Sequence, residues 1–180
     1  VLIKNGWSLR NPTQLEFLLK YARSAAFFDQ DLNELDLHWH PIVETYDNRK
    51  ESVFWDQAIN MEVSGIPTKT MCSADMLLHV IIHGLRSNNE PPVRWVPDSL
   101  MIIGQDHHPV DWNRLADLTR RYSVSLQIKA ALHYLHSTFN APIPVSVMDM
   151  INNIKPRWAD RIVYKHAISR GDLSALTFKQ

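Results

Sequence analysis

Val124, Ile128, Ala131, Leu132, Leu135 and Phe139 recur at spacings of four, three, one, three and four residues, which trace one face of an α-helix and no face of a strand. A helix patterned this way must bury that face, so part of the chain is a helical bundle. At 180 residues there is room for one domain, or one small domain and part of another, since domains run to about 100–200 residues. Apolar residues make up 45% and charged residues 21%, enough for a real core and against wholesale disorder. Lys plus Arg equals Asp plus Glu at 19 each, which removes the broad basic field of most nucleic-acid or membrane-surface binders and leaves only a local patch open.

Several other classes fall away on simple counts. The five glycines form neither a G-x-G-x-x-G nor a G-x-x-x-x-G-K arrangement, so no dinucleotide fingerprint or Walker loop is present. The lone Cys72 has no partner for an internal disulfide or a cysteine zinc site and suits a reducing cytosol. No apolar run approaches the roughly 20 residues of a membrane span, and Val1 to Trp7 lack the layout of a secretion signal. The expectation is a soluble, cytoplasmic protein with no membrane partner. The chain starts at Val1 without an initiator Met and runs at once into apolar sequence, as a fragment would.

Asn11-Pro12-Thr13-Gln14 has the form of a helix start, and Leu15, Leu18, Leu19 and Ala22 continue one face, which predicts a helix from Pro12 to Arg23. Ala25 to Phe28, a polar turn at Asp29-Gln30-Asp31, and Asn33 to His40 predict a β-hairpin. Its second strand sets Leu35, Leu37 and Trp39 on a packing face and Glu34, Asp36, His38 and His40 on the other. A short helix is expected around Glu51 to Asn60, then irregular strand and turn from Val63 to Thr70. Helices follow: Ala74 to Leu85 with Ser73 as N-cap, Pro97 to Ile103, Asp111 to Tyr122, the long stripe above, and Val145 to Ser169 broken near Pro156. The fold class is therefore α+β and helix-rich, with a mixed piece over 1–70 joined to an α-helical domain over 71–180.

Nine histidines invite a metal. His79 and His83 lie four apart on one predicted helix, but their neighbours are apolar and no Glu follows His79, so a structural pair is expected rather than a H-E-x-x-H zinc site. His133 and His136 sit beside an apolar stripe and are assigned to packing or solvent. Asp106-His107-His108 has the letters of a manganese phosphoesterase tripeptide, but it falls in a polar connection between Gly104 and Pro109, where such residues are ordinary. Cys72 lacks a basic cluster to depress its pKa and is expected to be inert. Asp36 is the better candidate: a carboxylate in mid-strand, beside Glu34 and His38, is costly if turned inward unless it meets a cation. The plain alternative is the solvated face of an antiparallel sheet.

Leu35-Asp36-Leu37-His38-Trp39 resembles the acid-Leu-His-Trp strand of the uncharacterised nucleotidyltransferase family, a bacterial branch of the polymerase-beta-like nucleotidyltransferase superfamily. The order of later motifs is similar as well. Phe54-Trp55-Asp56-Gln57-Ala58 resembles its Trp-containing helix, and Ser73 to Gly84 its helix ending in His plus a small residue. Val93-Arg94-Trp95-Val96-Pro97-Asp98 resembles its Arg-Trp-x-x-Asp element, and Val110 to Leu115 its Asp-Trp helix start. The resemblance covers about Gly6 to Val147.

That resemblance implies the C-terminal part of a nucleotidyltransferase-like mixed sheet followed by an α-helical domain beside it that shapes the acceptor pocket. It implies transfer of a nucleotidyl group from a nucleoside triphosphate to a hydroxyl acceptor. Asp36 would be the third carboxylate, catalytic and a Mg²⁺ ligand, in a two-metal site. Its companions in the superfamily, a Gly-Ser turn and an Asp-x-Asp pair, belong to an upstream half, and no equivalent is expected between Val1 and Asn33. The fragment is thus expected to be inactive by itself. His38 and Arg94 are the substrate-binding candidates; Arg94 either pairs with Asp98 along one helix turn or faces a phosphate, and His83 either caps the cleft or stabilises the bundle. The alternative function is a non-catalytic binding module with a degenerate nucleotidyltransferase fold.

Overall fold

The computed structural model describes residues 1–9, 15–22, 24–41, 52–85 and 93–169. The helix-start signature Asn11 to Gln14 lies outside them. The chain is α+β and helix-rich, and it divides into two compact units, Val1–Glu51 and Ser52–Gln180. The segment 63–70, expected to be irregular, is part of a regular hairpin.

The first unit is a three-stranded antiparallel sheet, β1 (Ser8–Leu9), β2 (Ser24–Phe28) and β3 (Glu34–His38), in the order β1-β2-β3. The predicted hairpin is present, with Ala25 opposite Leu37, Ala26 opposite Asp36 and Phe27 opposite Leu35. Leu9, Ala25 and Phe27 form a small buried core, against which Leu2, Trp7, Leu15, Leu18 and Trp39 pack. Trp39 Nε1 donates to the Ala22 carbonyl at 2.9 Å, closing strand against helix end. Helix α1 (Leu15–Tyr21) carries the predicted stripe over the described residues, and Ala22 lies beyond its end. It leaves Leu19 exposed; its buried side is the Leu15/Leu18 edge. Leu35 and Leu37 share the core face of the sheet by register, yet they are exposed because β3 lies at its edge. His40, expected on the polar face beyond the strand, is buried.

In the second unit, α2 (Ser52–Asp56) buries Phe54, whose ring stacks on Tyr122 at 5.8 Å, and exposes Trp55. Strands β4 (Ile59–Val63) and β5 (Ile66–Thr70) then pair antiparallel. Ser64 (φ 51°) and Gly65 (φ 79°) form the two-residue turn between them, and positive φ at both positions is what a type I′ turn demands for strands of right-handed twist. Helices α3 (Ser73–Gly84), α4 (Trp95–Ile103), α5 (Trp112–Arg121), α6 (Ser125–Phe139), α7 (Val145–Asn152) and α8 (Trp158–Ser169) build the bundle. The α6 stripe is its centre: Val124, Ile128, Ala131, Leu132 and Leu135 are all fully buried, and only Phe139, at the helix end, is exposed.

Local chemistry explains the boundaries. Asp111 caps α5 by accepting from the Arg114 amide at 3.0 Å. Asn140 ends α6 in the left-handed conformation, φ 52°, which Asn tolerates at a helix terminus. Ser73 is the first helical residue of α3 rather than its cap; its hydroxyl donates to the His108 carbonyl at 2.6 Å and accepts from Gln105 Nε2 at 2.9 Å, tying α3 to the loop after α4. Gly84 lets α4 approach α3: a Cβ there would lie 2.2 Å from Trp95 Cβ.

One ion pair locks three elements. Arg114 Nε donates to Asp75 Oδ1 at 2.6 Å and Nη2 to Oδ2 at 2.7 Å, while Nη2 also donates to the Val53 carbonyl at 2.8 Å. Asp75 is wholly buried, and its hydrogen bonds to Arg114 hold the guanidinium pKa above its ordinary value. Removing one partner strands a buried charge, a loss of about 3–5 kcal/mol. Asp75→Leu or Arg114→Met alone is therefore expected to lower urea stability by about that amount. The double variant should cost less than the sum of the two, and strict additivity in a double-mutant cycle would refute the coupling. Gly84→Ala should cost about 1–3 kcal/mol by overpacking, read as a fall in thermal midpoint.

Candidate functional site

Strand β3 sets Glu34, Asp36 and His38 on one side by its period of two. This is the side opposite the Ala25/Phe27 core, since Asp36 pairs with Ala26. Asp36 therefore does not point into a protein interior: its side chain is 53% exposed and that of His38 39%. The two are brought together, His38 Nε2 donating to Asp36 Oδ2 at 2.7 Å. An ionised carboxylate only accepts, so this bond places the imidazole proton on Nε2. What results is an accessible carboxylate whose one oxygen is held by an imidazole.

The turn that presents β3 is built by another acid. Asp29 Oδ1 accepts from the amides of Asp31 and Asn33, both at 2.9 Å, and Oδ2 accepts from Asn33 Nδ2 at 2.8 Å. These bonds, the Asn33 side chain first, keep the Asp29 carboxyl below its ordinary pKa. Contrary to the expectation of none before Asn33, Asp29-Gln30-Asp31 spells an Asp-x-Asp pair, but both oxygens of Asp29 are committed to the turn. Leu32 follows at φ 63°.

Arg94 belongs to the second unit. It is exposed and precedes α4, with backbone φ −60° and ψ −31°. The expected side-chain pairing with Asp98 does not occur: among the described residues the two are joined through the Asp98 amide donating to the Arg94 carbonyl at 3.3 Å. Asp98 instead occupies the first turn of α4, where open amides favour a carboxylate.

The other histidines follow their structural assignments where bonds show them. His133 Nε2 meets Asn152 Oδ1 at 2.9 Å and His136 Nδ1 meets the Ala141 carbonyl at 3.3 Å. The rings of His79 and His83 stand 5.4 Å apart on α3. Asp106, His107 and His108 are exposed in the loop after α4. Among the described residues no group of three His, Cys, Asp or Glu side chains is arranged to hold a metal ion. Asp36 alone fits one mode of Mg²⁺ binding, in which one or two carboxylates share the ion with substrate phosphates and water. An open cleft of about 500 Å³ lies between the starts of α5 and α7, with Val110 and Val147 beneath Trp112, Asn113, Ser146 and Met150. None of the three predicted site residues lines it.

A helix-rich α+β scaffold with an accessible acid and imidazole on an edge strand admits many chemistries, since fold alone does not name function. The family model described as Uncharacterised nucleotidyltransferase matches residues 1–140, and the chain belongs to that family. No curated protein and no solved structure matches it. The match spans Asp36, His38 and Arg94 and ends with α6. Membership carries nucleotidyltransferase activity as the family's general character, with a nucleotide as substrate and divalent metals in general use. Among the described residues no helix is long and apolar enough to cross a membrane.

Cys72, at the N-cap position of α3, is half-buried, and burial pushes its thiol pKa up. Little thiolate is present at neutral pH. Alkylation by iodoacetamide at pH 8 is expected to run severalfold slower than for a free cysteine peptide and to accelerate above pH 9, followed by mass spectrometry of the intact chain.

Proposed function

We propose that the chain is part of an enzyme that moves a nucleotidyl group from a nucleoside triphosphate to a hydroxyl acceptor, with Asp36 at the reacting centre. The observation that carries this is the Asp36 carboxylate itself: accessible on an edge strand, held by His38, and inside the family match. His38 fixes one carboxylate oxygen and sits where substrate can touch it. Arg94, exposed and always charged, is assigned to a phosphate, for which a guanidinium is well shaped. Residues 1–70 would carry the catalytic contribution and residues 71–180 the helical domain.

Asp36 would hold a Mg²⁺ ion, which when bound would supply charge neutralisation on the triphosphate and acidification of the acceptor hydroxyl. The rest of the work is positioning, because in-line attack at phosphorus needs aligned reactants more than a covalent nucleophile. One protein carboxylate falls short of a two-metal centre, so this chain by itself is assigned no transfer activity.

In the full-length protein, Mg²⁺-dependent binding of a nucleoside triphosphate should weaken at least tenfold on Asp36→Asn, measured by calorimetry. Binding unchanged in that variant would count decisively against the assignment. A second reading, a binding module on a degenerate nucleotidyltransferase fold, is favoured by one observation: Asp29, first acid of the Asp-x-Asp sequence, commits both carboxylate oxygens to the turn. An intact Gly-Ser turn with Asp-x-Asp upstream separates the enzyme from the module, and its absence favours the latter.

A further inference from the structure

Helix α8 presents a face that the nucleotidyltransferase assignment does not use. Asp160, in its first turn, is buried, and its Oδ2 accepts from the Ser125 hydroxyl at 2.5 Å and from the Arg157 amide at 2.9 Å. These bonds fix how α8 is rolled against α6. With Asp160 turned inward, Arg157, Arg161 and Lys165, four residues apart, fall in one outward row, and all three are exposed. Lys155, also exposed, precedes the helix and lies outside this row. Trp158 (76% exposed) and Ile162 (58%) form the adjoining row.

The charge of this face is uncompensated. Between residues 155 and 165 the sequence holds one acid, Asp160, and it is the buried one. Among the described residues none of the four cations makes a side-chain ion pair. In a chain with 19 cationic and 19 anionic residues, four cations between 155 and 165 are a local feature and not a reflection of overall charge.

We infer that this face of α8 binds a single-stranded polynucleotide, its phosphates met by Arg157, Arg161 and Lys165 and one base stacked on Trp158. Successive cations lie about 6 Å apart along the axis, from a rise of about 1.5 Å per residue, a repeat that suits the phosphates of an extended strand. A cationic track beside an exposed aromatic ring is the pairing that sequence-tolerant single-strand binders use. A membrane-seeking helix would centre its apolar residues on the outward face and flank them with cations. Here the described cations lie together along one side of the Trp158 and Ile162 row and do not flank it on both sides.

The test uses the 180-residue chain and a fluorescein-labelled 16-nucleotide oligouridine, followed by anisotropy. Saturable binding is expected, with log K falling against log salt at a slope of about −2 to −3, from about −0.7 per phosphate neutralised. R161E/K165E should weaken binding at least tenfold and W158A about tenfold, while K4E/K69E, with the same change in net charge at residues outside α8, should stay within twofold. Circular dichroism checks that each variant is folded, and R161Q/K165Q, expected to lose at least fivefold, replaces the reversal if that fails to fold. The proposal is overturned by absence of binding at 100-fold the chain concentration needed for about micromolar affinity. It is equally overturned by equal affinity in the α8 variants, by equal loss in K4E/K69E, or by binding confined to phosphatidylserine vesicles.

Discussion

The pair between Asp75 and Arg114 is the contact on which the second unit depends. Arg114 reaches from α5 to a wholly buried carboxylate on α3 and to the Val53 carbonyl in α2. A guanidinium can do this because its donors form a rigid planar fork, two teeth on the carboxylate and a further hydrogen on a backbone oxygen. Such a pair gains little net energy over apolar packing of the same volume, and its value lies in registration. It admits one relative placement of α3 and α5, which in turn sets Phe54 against Tyr122 and leaves Gly84 under Trp95.

The same logic of fixing orientation through a buried acid recurs at Asp160. One carboxylate oxygen satisfies both the start of α8 and the Ser125 hydroxyl in α6, and so decides which residues of α8 meet water. Nearby, Lys129 donates to the Asn152 and Ile154 carbonyls at 2.8 and 2.7 Å, closing the end of α7. Burial lowers the pKa of that ammonium.

Much of the helical architecture was legible in the residues. The α6 stripe and the break near Pro156 rest on local rules of periodicity and proline geometry, and both are found in place, whereas Asp111, expected as the first residue of α5, is its cap. The β2–β3 hairpin was legible for the same reason. The departures arose where tertiary context decides. Alternation told which residues share a side of β3 but not that β3 is an edge, so Leu35 and Leu37 were expected to be buried. The regular β4–β5 hairpin was hidden because Ser64 adopts positive φ, a conformation its residue type does not announce. Ser73 was expected as a cap, and its bond to His108, 35 residues away, has no signature in the sequence. The candidate site was legible as residues and not as a geometry: spacing put Asp36 beside His38, and spacing equally allowed the Arg94–Asp98 pair that the structure does not form.

Strands β4 and β5 form a two-stranded ribbon exposed along almost its whole length, with Met61, Val63 and Ile66 open to water. Ribbons of this kind are marginal in isolation, whereas α6 is sealed inside the bundle. Protection is thus uneven among the described residues: opening the backbone of 59–70 costs less than opening the middle of α6. A region that opens and closes while the bundle stays shut can change its sequence freely without endangering the fold beneath it.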